Sequence, residues 1–281
     1  RFGFPEKIGG WIKNTTTNFL GTCRALHPWV ALDGSSYLGV GTHLKYYINE
    51  GGAYYDITPV RLTTSAGDAT FATKANTLSA SITAVDIVIP LTSSTGFPAS
   101  GRIKIDDEII TYAAVSSNDL IGCVRGLNNT AAASHSSGAS VGCATITVNE
   151  TGHGALVNDF VTFSGAASLG GLVTAAVLNQ EYQITDIIND DSYQIEVREV
   201  ETIGDITTTN GLEPTYVFSN TSDSSNGGSS VVAAYQINTG LDTTITGTGW
   251  SAGTWGRGTW NSAASLIVSG CTLRIWSHDT F

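Results

Sequence analysis

The densest group of residues that could do chemistry is a run of three carboxylates, Asp106, Asp107 and Glu108. Two carboxyl groups held close together can hydrolyse a glycosidic bond, and several together can bind a hard cation such as Ca²⁺. Neighbouring side chains on a strand or in a tight turn point in different directions, however. The spacing therefore favours a solvated turn over a catalytic or metal site.

The five histidines are scattered and do not form a metal-binding or catalytic pattern. None lies at ligand spacing from another histidine or from a cysteine, and no Gly-x-Ser-x-Gly sequence presents a nucleophilic serine. His153, between two glycines, is expected to stabilise a turn. We predict that the chain is not an enzyme and has no cofactor or metal, with a site assembled from distant residues as the alternative. The histidines are His27, His43, His135, His153 and His278.

The four cysteines, Cys23, Cys123, Cys143 and Cys271, are far apart and form no CxxC pair. Isolated cysteines commonly serve as small buried apolar residues, and this is the prediction here. A disulfide between Cys123 and Cys143 is the alternative.

Three tryptophans, Trp250, Trp255 and Trp260, recur every five residues in a glycine-rich stretch. This interval fits neither a helix nor a simple strand, and it indicates an extended loop with aromatic anchors. We expect the indoles to pack beneath the loop or at a subunit boundary, where large rigid aromatics are favoured. Stacking of exposed indoles on sugars is the alternative.

The composition predicts strands and turns, because Gly, Thr, Ser, Val and Ile are abundant and charge is sparse. The formal net charge of −11 and the scattered Lys and Arg argue against a conventional nucleic-acid binder. No stretch approaches the roughly 18 apolar residues of a membrane span, and the chain does not open with a leader-like segment. Since Met is absent, we expect the sequence to be part of a longer chain.

The strand patterns at the two ends of the chain predict one platform that is interrupted in the middle. In residues 1–68, short apolar runs separated by turns at Asp33-Gly34 and Glu50-Gly51-Gly52 indicate an antiparallel meander. The pattern returns in residues 233–281. A meander leaves unpaired edges unless it closes or repeats radially, as the four-stranded blades of a propeller do. We therefore predict a partial, propeller-like platform.

Two small β domains of the sandwich or barrel type are predicted as inserts, the first at residues 69–142 and the second, a small barrel, at residues 143–232. Residues 219–230 are rich in Ser, Asn, Asp and Gly, so they are expected to form a mobile return loop. The predicted fold class is all-β. Alternation places several apolar residues on shared strand faces: Ile103 with Ile105, Ile146 with Val148, and Tyr193 with Ile195 and Val197.

Four stretches, taken in order, resemble tail-nozzle (tail tubular) proteins of short-tailed bacteriophages: residues 5–11 (PEKIGGW), 37–42 (YLGVGT), 54–59 (YYDITP) and 273–278 (LRIWSH). The resemblance covers roughly the first and last quarters of the chain. It implies a β-propeller platform in a hexameric ring below the tail adaptor, forming the distal channel through which the genome leaves. The chain would then be the N-terminal portion of a structural virion protein of the tail.

The same resemblance implies the partners. They are further copies of the chain, the tail adaptor and the tail fibre proteins, while viral DNA passes through without specific binding. No membrane span is expected.

The inserts have resemblances of their own. Residues 101–112 (GRIKIDDEIITY), with 123–126 (CVRG) and His135, are similar to a small β module found in many virion proteins. Residues 152–163 and 178–182 (LNQEY) resemble the small β-barrel that also occurs in ubiquitin-activating enzymes, where it plays no catalytic part.

The alternative function is a receptor- or glycan-binding module of a tail fibre. Fibres are usually trimeric and often repetitive in sequence, whereas this chain has one interrupted meander with two unlike inserts. This difference favours the ring.

Overall fold

The structure of the chain is a computed structural model that describes residues 18–199 and 215–237 and the backbone of residues 244–246 and 267–269. The described residues belong to two compact units. Residues 18–58, 244–246 and 267–269 belong to the first, and residues 59–199 and 215–237 belong to the second. Antiparallel sheets dominate both units, and the predicted all-β class is confirmed. Among the described residues, no helix is long and apolar enough to cross a membrane.

The first unit contains a four-stranded meander in which each strand pairs with the next one along the chain. Gly34, Gly51 and Gly52 have positive φ angles, which glycine adopts without steric cost, so the predicted turns between strands are confirmed. Val40 and Tyr47 are buried, and the Lys45 ammonium lies 2.5 Å from Asp56. The strands are β1 Cys23–Val30, β2 Ser36–Thr42, β3 Tyr46–Glu50 and β4 Ala53–Asp56.

The second unit contains two lobes, each with its own hydrophobic core. Its elements are β5 Val60–Thr63, β6 Thr70–Ala72, β7 Ala75–Thr77, β8 Val88–Pro90, β9 Gly101–Ile105, β10 Glu108–Tyr112, β11 Ala114–Ser116, β12 Asp119–Ile121, β13 Val124–Leu127, β14 Ser140–Cys143, β15 Thr145–Asn149, β16 Phe160–Ser164, α1 Ala175–Leu178, β17 Glu181–Asn189, β18 Ser192–Glu196 and β19 Val232–Gln236.

The first lobe, residues 75–143, combines a five-stranded sheet of order β13-β10-β9-β14-β7 with a three-stranded sheet of order β11-β12-β8. Ile103 and Ile105 are fully buried in its core, which confirms that they share a strand face. Ile110 and Tyr112 join them from the neighbouring strand β10. Period-2 alternation therefore locates the core of this lobe correctly.

The second lobe, residues 60–72, 145–197 and 215–236, is a seven-stranded sheet of order β5-β19-β16-β17-β18-β15-β6. Seven flat strands would hold their edges about 29 Å apart, whereas the segment that links edge strands β5 and β6 reaches at most about 25 Å. The sheet must therefore curl around its core. The predicted small barrel is thus an open, curled sheet, since β5 and β6 do not pair with each other among the described residues.

The second core also follows the predicted alternation. Ile146 and Val148 of β15 are fully buried, as are Tyr193 and Ile195 of β18 and Val197 beyond it. These predictions are confirmed.

Two strands that were predicted to belong to the platform lie instead in the sheet of the second lobe. Residues 60–63 form β5, and residues 232–236 form β19 beside it, with Leu62 opposite Tyr235. The pairing joins residues about 170 positions apart, and no local pattern encodes it. Two further short strands, β20 Thr244–Thr246 and β21 Ile267–Ser269, pair with each other in the first unit.

The serine-rich stretch 219–230 is mostly exposed, but a buried carboxylate ties it to the second lobe. Asp223, 4% exposed, accepts hydrogen bonds from the backbone N–H groups of Gly171, Leu172, Val173 and Asn220 at 2.8–3.1 Å. The mobility of the loop stays a prediction, but these charge-assisted hydrogen bonds fix the loop at Asp223, which the count of apolar surface did not anticipate.

Candidate functional site

The carboxylate run of the sequence splits at the turn between β9 and β10. Asp106 and Asp107 are exposed, and Asp106 takes a positive φ of 51°. Glu108 is the first residue of β10 and is only 2% exposed. The prediction of a solvated turn therefore holds for the two aspartates and is wrong for Glu108, because Glu108 shares the inward face of β10 with Ile110 and Tyr112.

Glu108 is held by Arg125 of the adjacent strand β13 in a two-point ion pair. Arg125 Nε lies 2.7 Å from Glu108 Oε1, and Arg125 Nη2 lies 2.7 Å from Oε2. The pairing of β10 with β13 positions the two side chains, and a register shift occurs between Ile109 and Thr111. This parallel geometry is the strongest that arginine makes with a carboxylate.

His135 extends the pair into a chain of four charged or polar side chains. Its Nε2 lies 2.8 Å from Glu108 Oε2, and its Nδ1 lies 2.8 Å from Asp106 Oδ2. Backbone hydrogen bonds in both directions between His135 and Ile82 fix its position. Both ring nitrogens face carboxylate oxygens, so a ring with a proton on each nitrogen satisfies both contacts.

Glu108 is also bonded by the backbone. The N–H of Gly126 donates to Oε1 at 3.0 Å and the N–H of Ala133 donates to Oε2 at 3.1 Å. Burial alone would raise the pKa of Glu108, but the hydrogen bonds from Arg125, His135 and Ala133 outweigh it and lower that pKa from 4.5 to about 2. The carboxylate is therefore ionised at neutral pH and has no proton to donate to a substrate.

Arg125 uses its remaining donors to bind loops of the first lobe. Nη1 donates to the carbonyls of Thr83 at 2.7 Å and Asp86 at 3.1 Å, and Nη2 donates to the carbonyl of Ala133 at 2.6 Å. The cluster thus ties two loops to the five-stranded sheet. Because its charges and donors are occupied within the lobe, its geometry is that of a structural cross-link.

The second lobe has a different polar cluster at its core. Tyr235 donates to Glu150 Oε2, and its hydroxyl lies 2.8 Å from that of Tyr193. Burial, and next the charge of Asp68, raise the pKa of Glu150, although the Tyr235 hydrogen bond opposes them. Burial also raises the pKa of both tyrosines well above the usual value.

His153 packs against this cluster and is 1% exposed. Its Nδ1 accepts a hydrogen bond of 3.0 Å from the N–H of Ala155, which confirms the predicted turn-stabilising role. Its Nε2 lies 3.1 Å from the Asn189 carbonyl, so that nitrogen carries the proton.

The cysteines within the described residues are free thiols. Cys123 and Cys143 are buried, as predicted, and they do not form the alternative disulfide. Burial raises the pKa of each to about 11. Cys23 is half-buried, and Cys271 lies outside the described residues.

The predicted aromatic anchors Trp250, Trp255 and Trp260 also lie outside the described residues, so their role stays a prediction. In residues 18–199 and 215–237, no group of three or more His, Cys, Asp or Glu is arranged to hold a metal ion.

Comparison with protein-family models, with curated proteins and with solved structures finds no match to this chain. The roles of the two buried clusters therefore follow from their own geometry.

Proposed function

We propose that the chain is a structural protein of a bacteriophage tail, forming part of a ring-shaped nozzle through which the genome is ejected. The observation that carries this proposal is the meander β1-β2-β3-β4. It contains residues 37–42 and residues 54–56, the first three of 54–59, which belong to two of the four stretches that resemble nozzle proteins. Four antiparallel strands in sequential order are the unit from which propeller blades are built.

The two buried clusters support a non-enzymatic role for the inserted lobes. The Glu108–Arg125–His135 cluster stiffens the first lobe and the Tyr235–Glu150–Tyr193 cluster the second. Satisfied polar networks of this kind rigidify a core. Rigid, catalytically inert modules suit a particle component that has to withstand assembly and ejection.

In this proposal six copies form the ring, with the tail adaptor and tail fibre proteins as neighbours, and DNA passes through without specific binding. A chain of net charge −11 suits a channel wall that does not retain a polyanion. The propeller-like platform would form part of the ring, and the two lobes would be carried as inserts.

Native mass measurement of the purified chain tests the proposal by counting subunits. We expect a hexamer, and we expect Trp250→Ala, Trp255→Ala or Trp260→Ala to lower its yield if these side chains lie at the subunit boundary. Trp29→Ala, within β1, is the matched control for loss of an indole. A stable trimer would contradict the ring and favour the tail-fibre alternative.

A further inference from the structure

A cleft of about 610 Å³ opens within the second unit, between the second lobe's sheet and a loop of the first lobe. Its floor is formed by β15 and β18, and its roof by residues 96–99, which connect β8 to β9. This volume lies within the range of about 300–1,000 Å³ that small-molecule sites occupy. The cleft lies apart from the two buried clusters described above.

The floor is a ladder of polar side chains. Thr147 pairs with Gln194, and Asn149 pairs with Ser192, across neighbouring strands. Because strand side chains alternate, these four face the cleft while Ile146, Val148, Tyr193 and Ile195 face the core. The ladder thus presents two amides and two hydroxyls on one surface.

Gln194 stands out because it is nearly buried and yet unpartnered. It is 9% exposed, and its side-chain amide makes no hydrogen bond within residues 18–199 and 215–237. By contrast Gln180, in the same lobe, donates to Val177, Tyr182 and Arg198. An amide can donate twice and accept twice. The amide atoms of Gln194 are not among the fully buried polar atoms that lack a partner, so they are reached from the cleft. The polar capacity of Gln194 is therefore directed into the cleft.

The roof and the mouth of the cleft add complementary groups. Phe97 packs partly against the core of the first lobe, which fixes its ring at the cleft together with Pro98. The Lys74 side chain lies so close against Gly96, which has a φ of 78°, that a Cβ there would collide with it. Lys74 and Asp186 place one cation and one anion at the lining.

We propose that this cleft binds a saccharide of one or two pyranose units. Sugar hydroxyls both donate and accept, as the amides of Gln194 and Asn149 and the hydroxyl of Thr147 do. The C–H face of a pyranose needs an apolar, rigid surface, which the half-buried ring of Phe97 provides. A phosphate-bearing ligand fits less well, because Lys74 is the one cation of the lining and Asp186 opposes its charge.

The test uses the full 281-residue chain and a panel of methyl glycosides of glucose, galactose, mannose and N-acetylglucosamine, with their common disaccharides. Saturation-transfer NMR identifies a binding sugar, and calorimetric titration gives its Kd. Gln194→Ala should raise Kd roughly tenfold, as loss of a hydrogen bond implies. Gln183→Ala, on β17 outside the cleft, is the matched control and should leave Kd unchanged.

Melting temperature separates a binding role from a structural one. Since the Gln194 side chain has no hydrogen-bond partner in the part of the chain that the structure describes, Gln194→Ala should melt at or above the temperature of the parent. Ala99→Trp, in the exposed loop of the roof, should abolish sugar binding by filling the cleft while leaving the polar ladder intact. The proposal is overturned if no sugar of the panel gives a transfer signal, if Gln194→Ala and Ala99→Trp bind as the parent does, or if Gln194→Ala melts several degrees lower.

Discussion

Each lobe of the second unit buries one glutamate among the described residues, and the surroundings shift the two pKa values in opposite directions. In the first lobe Glu108 is paired with Arg125 and His135, and its pKa is lowered to about 2. In the second lobe Glu150 is bonded by the neutral hydroxyl of Tyr235, and its pKa is raised. In the first lobe a neighbouring cation stabilises the ionised form of the buried acid. In the second lobe burial favours the neutral form.

The largest expected effect comes from removing the cation that pairs with Glu108 in the first lobe. Arg125→Met leaves Glu108 buried without its charge partner and should lower the free energy of unfolding by about 3–5 kcal/mol. Lys104→Met, on the neighbouring strand β9, is the control and should cost less than about 1 kcal/mol. Urea unfolding gives both values, and a loss below about 1 kcal/mol for Arg125→Met would show that the ion pair does not stabilise the lobe.

Removing one hydroxyl from the second lobe should have a smaller effect. Tyr235→Phe leaves Glu150 and the Tyr193 hydroxyl without this partner and should cost about 1–3 kcal/mol. Tyr55→Phe, at an exposed site, should be nearly neutral. Equal melting temperatures for the two variants would contradict the assigned network.

The pH dependence of stability should have opposite signs in the two lobes. Because folding lowers the pKa of Glu108, its contribution is complete above about pH 4.5 and is lost as the pH falls towards about 2. Because folding raises the pKa of Glu150, its carboxyl destabilises the fold increasingly as the pH rises through the raised value, and this cost is absent at lower pH.

Two variants separate these contributions in urea unfolding measured across pH. In Glu108→Gln, the free energy of unfolding should fall less than in the parent as the pH is lowered from about 4.5 towards about 2. In Glu150→Gln, it should fall less than in the parent as the pH is raised. If the curve of either variant runs parallel to that of the parent, the substituted carboxyl does not contribute to the pH dependence of stability.

The smallest expected difference is in the reactivity of two buried thiols. Cys123 lies in the core of the first lobe, and Cys143 lies where the lobes meet. Burial raises both pKa values to about 11, so at pH 8 about one thiol in a thousand is ionised. Both should react slowly with iodoacetamide in the native protein and rapidly in urea, while the half-buried Cys23 reacts sooner. Rapid native labelling of Cys123 alone would indicate that the first lobe opens.

Local patterns predicted the parts of the fold that depend on neighbouring residues. Alternation found the inward faces at Ile103 and Ile105, and glycine turns located the hairpins at 33–34 and 50–52. The same alternation, followed from Tyr112 back through Ile110, also places Glu108 inward, whereas the prediction treated all three acids as one turn.

Other features were outside the reach of local patterns. The pairing of β5 with β19 joins segments about 170 residues apart. Asp223 is bonded by N–H groups of residues 171–173, about 50 positions earlier in the chain. The cleft between the lobes likewise depends on contacts between segments that are distant in sequence. Hydrophobic patterning carries no information about which distant donors will meet a buried acid.

The most direct test of the proposed nozzle role is an electron-microscopy image of the assembled particle with the chain labelled at residue 151, in an exposed turn of the second lobe. We expect label around a sixfold ring at the distal end of a short tail. Label on elongated threefold fibres, or none on the particle, would contradict it.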